Sequence, residues 1–80
     1  MDRDWHDELY QRIYDQMLAA LAERRGNGES KDAIRDQLEW SYAVEGIDWV
    51  GKGEVWHVTH AATISAFEAF LAAWEEEMKR

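Results

Sequence analysis

The chain has 80 residues, no Cys, and a formal net charge of −8 from 17 acids against 9 bases. A single domain is expected over residues 1–80, and a chain this short buries only about 60% of its unfolded surface. The missing thiols exclude disulfides and thiolate zinc sites, and the acidity disfavours direct contact with nucleic-acid phosphates.

What compensates for the thin core is aromatic area. Five Trp, three Tyr and two Phe are present, each burying more area than an aliphatic residue or serving as a binding anchor at the surface. The opening Met-Asp-Arg-Asp lacks the apolar stretch of a signal peptide, and no apolar run approaches the roughly 20 residues of a membrane span. A cytoplasmic protein is the expectation.

Periodicity predicts a first helix from about Asp4 to Arg25. Leu9, Tyr10, Ile13, Tyr14, Met17, Leu18 and Leu21 recur at three- and four-residue spacing, with Asp7, Glu8, Gln11, Arg12 and Asp15 opposite. Arg24 and Arg25 suit the carboxyl end of the helix dipole. Gly26-Asn27-Gly28 ends the helix, and Ser30 has the chemistry of an N-cap.

A second helix is predicted from Lys31 to about Glu45, with Ile34, Leu38, Ser41 and Tyr42 on a narrow apolar face and Trp40 off that stripe. Asp32 and Asp36 are like charges four apart, a small destabilisation with no local benefit. Such a cost points to a surface kept acidic for another reason.

Residues 47 to 60 read as β structure. Gly51 and Gly53 inside a helix would each cost about 1 kcal/mol relative to Ala, whereas Ile47-Asp-Trp-Val and Val55-Trp-His-Val-Thr around Gly-Lys-Gly read as a hairpin. A two-residue turn at Lys52-Gly53 would pair Trp49 with Trp56 and Ile47 with Val58 on one face, leaving Asp48, Val50, Val55 and His57 on the other. The final helix is expected from the region of Thr59 to Ser65, where Ser65-Ala-Phe-Glu68 has capping-box spacing, and carries Ile64, Phe67, Phe70, Leu71, Trp74 and Met78 at helical spacing. The expected fold class is therefore α+β, in the order helix, helix, β-hairpin, helix.

Little here carries catalytic chemistry. His57 and His60 on a strand would point to opposite sides, which makes a shared metal difficult, and Asp48 beside His57 would orient a general base with no nucleophile to serve. Gly51-Lys-Gly53 lacks the Ser or Thr and the following helix of a phosphate loop. No cofactor, no metal and no enzymatic activity are expected. Helix, helix, hairpin invites comparison with winged-helix DNA binders, but Asp32, Asp36 and Glu39 occupy the helix that would meet phosphate.

Reversed, the same comparison yields a candidate function. Asp32, Asp36, Glu39 and Glu45 of the second helix, with Asp48 and Glu54 of the hairpin, form a candidate surface that competes for the basic groove of a larger protein or complex, with Trp40 as aromatic anchor. In size, acidity, lack of Cys and aromatic content the whole chain resembles the small phage-encoded inhibitors of host defence, the anti-CRISPR and anti-restriction proteins. That resemblance is one of profile and transfers no residue. It implies a non-enzymatic inhibitor, with DNA mimicry as one mode of action. The alternatives are a homodimeric structural or accessory subunit joined through the excess aromatics, and a small protein using His57 and His60 for metal binding or catalysis.

Overall fold

The computed structural model of the protein describes residues 2–47 and 53–79, with side chains described from 5 to 43 and from 53 to 79. Three helices account for nearly all of it: α1 (Asp2–Gly26), α2 (Lys31–Ile47) and α3 (Glu54–Met78). Among the described residues there is no strand, so the fold is all-α and the α+β expectation is overturned.

The hairpin fails for a definite reason. Val55, Trp56, His57 and Val58 are helical, forming the first turns of α3, so Trp56 cannot pair across a strand and Ile47 closes α2. Gly53 sits at the N-cap of α3 with extended backbone, φ −84° and ψ 176°. The residues from 48 to 52, including Asp48, Trp49 and the Gly51-Lys52 half of the turn, lie outside the described residues. The glycine penalty applies to a helix that runs through a glycine, and here Gly53 stands before the helix instead.

Ser65 and Glu68 do not cap a helix. They lie in mid-α3, where the Ser65 hydroxyl accepts a 2.7 Å hydrogen bond from Tyr10 and Glu68 accepts one from Tyr42. Thr59 is likewise interior, its carbonyl accepting from Thr63 Oγ1 at 2.8 Å. That bond returns the hydroxyl of a β-branched residue to the helix's own backbone, which makes Thr tolerable there.

The turn between α1 and α2 follows the sequence closely. Gly28 has φ +97°, the left-handed conformation that Gly reaches without Cβ strain. Ser30 caps α2, its Oγ accepting from Ala33 N–H at 3.1 Å. Arg24 closes the turn through two hydrogen bonds to Glu29, the Nε bond being 2.9 Å long.

Cross-links between the helices give their directions. His6 pairs with Glu54, Tyr10 with Ser65 and Arg25 with Glu77, so α1 and α3 run parallel. Arg35 pairs with Glu75, Tyr42 with Glu68, and the Ser41 carbonyl with His60, so α2 runs antiparallel to α3. Helix α3 is the shared partner: α1 packs along it most extensively, α2 packs on it less, and the α1 and α2 backbones barely meet.

The core lies on that shared helix. Leu21 of α1, Ile34 and Leu38 of α2, and Ile64, Phe67 and Leu71 of α3 are buried together, with Met17, Phe70 and Trp74 packed against them. Ala62 and Ala66 are wholly buried, small residues that bring the backbones close. Of the predicted α1 stripe only Leu21 is fully buried, the rest being half-buried. Among the described residues no helix is long and apolar enough to cross a membrane.

Candidate functional site

Helix α2 divides its residues sharply between two faces. At 3.6 residues per turn, Asp32, Asp36, Glu39 and Trp40 fall within about 100° of one another, roughly opposite Ile34 and Leu38. All four are exposed, and Trp40 keeps 67% of its surface. None of the four has a side-chain hydrogen bond or ion pair within the described residues.

Other acids of the chain are used internally. Glu29 takes Arg24, Glu77 takes Arg25 at 2.9 Å, and Glu75 takes both Arg35 and, at 3.6 Å, Lys31. Glu29 is held below the usual carboxylate range chiefly by its hydrogen bond to Arg24. Glu75 is lowered in the same way by Arg35 first and Lys31 next. Lys79 closes α3 through its backbone N–H. Lys31 and Arg35 of α2 thus reach across to α3, while Asp32, Asp36 and Glu39 are exposed.

Of the remaining expected site residues, only Glu54 is described in full, and it lies away from this face. Glu54 opens α3 and pairs with His6 of α1, Nε2 to Oε1 at 3.3 Å, at the α1–α3 end of the molecule. Glu45 lies within α2, and its side chain is outside the described set. Asp48 lies outside the described residues altogether. Of the acidic surface expected across helix and hairpin, the described residues bring together Asp32, Asp36, Glu39 and Trp40 on the outer face of α2, with Glu54 apart from them.

Beside that face runs a groove of about 300 Å³ between α2 and α3. Leu38, Leu71 and Ala72 form its apolar part, the Arg35–Glu75 pair one end and the Tyr42–Glu68 pair the other, with Glu39 between them along α2. Glu39 belongs both to the outer face and to this groove. The groove was not legible in the sequence, because it depends on which residues of α3 come to lie beside α2.

The histidines take a different arrangement from that of a strand. His57 and His60 are three apart on α3. His60 stacks on Trp56, ring centroids 4.6 Å apart and planes 10° from parallel, and its Nε2 lies 3.2 Å from the Ser41 carbonyl. His57 meets Trp56 edge-on at 5.3 Å. Among the described residues no three His, Asp or Glu side chains gather to hold a metal ion. No protein-family model, curated protein or solved structure matches the chain.

Proposed function

We propose that the protein is a non-enzymatic binding module whose outer α2 face docks on a basic surface of a larger protein or complex, as an inhibitor of the kind the whole-chain profile resembles. The observation that carries this reading is the partition of charge on α2. Asp32, Asp36 and Glu39 stay uncompensated around an exposed Trp40, while Arg35 and Lys31 of the same helix are taken up by Glu75.

Two physical effects support it. Uncompensated carboxylates steer and orient a basic partner, and a large exposed aromatic at the centre of a polar patch supplies the affinity that rim charges do not. The Asp32–Asp36 repulsion costs a few tenths of a kcal/mol in the free helix, and a cationic partner would relieve it.

The test begins with capture of partners from the source cell and continues with the recovered partner in purified form. Asp32→Lys with Asp36→Lys, and separately Trp40→Ala, should each weaken binding while circular dichroism and thermal stability stay at wild-type values. Binding should also weaken with salt, since exposed charges are screened over about 10 Å at 0.1 M. Wild-type affinity in both variants, or affinity unchanged between low and high salt, would overturn the reading.

A further inference from the structure

The groove beside Glu39 has a shape and a charge pattern that select its occupant. We infer that it is the subsite for a single arginine side chain presented by the basic partner, a proposal that rests on the reading of α2 above. Its volume of about 300 Å³ lies at the lower limit of small-molecule pockets, which run to about 1,000 Å³. That space suits one long side chain.

The two ends differ in electrostatic character. At one, Glu75 is matched by Arg35 and Lys31, so a cation gains nothing there. At the other stands Glu68, whose partner is the neutral Tyr42 hydroxyl, and Glu39, which has no cation partner among the described residues, lines the groove between the two ends. Between them lie Leu38, Leu71 and Ala72, apolar surface of the kind that covers the methylene stem of a long basic residue while its head stays polar. Arginine fits better than lysine. Its planar fork matches carboxylate geometry, and its guanidinium is more weakly hydrated than an ammonium and so loses less on entering a partly apolar groove.

The experiment is an NMR titration of the isotope-labelled protein with N-acetyl-arginine amide and, in parallel, with its neutral citrulline counterpart. Arginine should shift the signals of Leu38, Leu71, Ala72 and Tyr42 saturably, and citrulline should not. Glu39→Gln and Glu68→Gln should each weaken the arginine response by roughly two- to fivefold, the range for a single solvent-accessible charge pair. Glu68→Gln keeps an acceptor for Tyr42, so folding is preserved, and amide spectra verify it.

Equal shifts with citrulline, no saturable shift with arginine, or variants that respond as wild type would each overturn the arginine subsite. The two readings separate cleanly. If arginine leaves the groove unmoved while charge reversal at Asp32 and Asp36 still weakens binding of the purified partner, the subsite falls and the α2 reading stands. If neither experiment responds, both fall.

Discussion

Arg35 and Asp36 are neighbours in sequence and opposites in fate: the guanidinium reaches Glu75 of α3, and the exposed carboxylate has no partner among the described residues. Removing the carboxylate should therefore cost the fold nothing. Asp36→Lys replaces a like-charge i,i+4 pair with a favourable one, in the preferred acid-first order, and should raise stability by about 0.2–0.5 kcal/mol. Urea denaturation monitored by circular dichroism checks this, and a loss above about 1 kcal/mol would mean that Asp36 has a structural task.

The core residues of α2 and α1 behave in the opposite way. Ile34 is 0% exposed and Leu21 1%, and truncating either to Ala should cost about 2–5 kcal/mol from lost transfer energy and the cavity left behind. A domain of this size has a total of order 5 kcal/mol, so Leu21→Ala should retain only about 0–3 kcal/mol and melt well below the wild type. Ile34→Val, at about 0.5–1.5 kcal/mol, should remain folded and allow the ordering to be measured.

Acid should loosen the contacts of α3 and of the α1–α2 turn. Glu75 and Glu29 both ionise below their ordinary value of 4.5, through hydrogen bonds to Arg35 and Arg24. A carboxyl depressed in the folded state contributes stability at pH values above its unfolded pKa. That contribution disappears as pH falls through the folded value. Melting temperature should thus be level above about pH 5 and decline below 4.5, and Glu75→Gln should flatten part of that decline. A wild-type profile that rises on acidification would contradict the ion-pair assignment.

Tyr10 and Ser65 join α1 to α3 by a part-buried hydroxyl pair. Tyr10→Phe and Ser65→Ala should each cost about 1 kcal/mol, and the double variant little more than either, because they remove one and the same bond. Full additivity in a double-mutant cycle would show that the hydroxyls act separately.

Gly53 offers a stabilising change. It caps α3 without a side-chain hydrogen bond, its φ and ψ are open to any L residue, and a Cβ there meets nothing within 4 Å. Gly53→Ser should gain about 0.5–1 kcal/mol by capping an orphan N–H and narrowing the unfolded ensemble. The same substitution in a hairpin turn would be unfavourable, so thermal denaturation of this variant also tests the helical start of α3.

Local signals carried most of α1 and α2. The Leu9-to-Leu21 spacing, the Gly28 turn and the Ser30 cap are properties of neighbouring residues, and each reappears in the structure. The start of α3 was misread because Val, Trp, His, Val and Thr favour strands as individual residues. The overriding signal was their spacing. Trp56 and His60 stand four apart and continue to Ile64, extending the Phe67–Leu71 stripe by two turns toward Gly53. Packing on α1 and α2 then outweighs residue preference. As for the candidate site, the Asp32–Asp36–Glu39–Trp40 face follows from α2's period alone. The Glu54 pairing with His6 and the groove depend on contacts some 30 to 50 residues apart along the chain, which periodicity cannot supply.

Since α3 is the helix that both others rest on, α1 and α2 have little to hold them together during synthesis. Translation adds about 5–20 residues per second, so α3 reaches the end of the exit tunnel a few seconds after its partners. Until then Leu21, Ile34 and Leu38 have no Phe67 or Leu71 to pack against. The nascent chain should remain a substrate for chaperones over that interval, and it should acquire protease resistance in one late step instead of helix by helix.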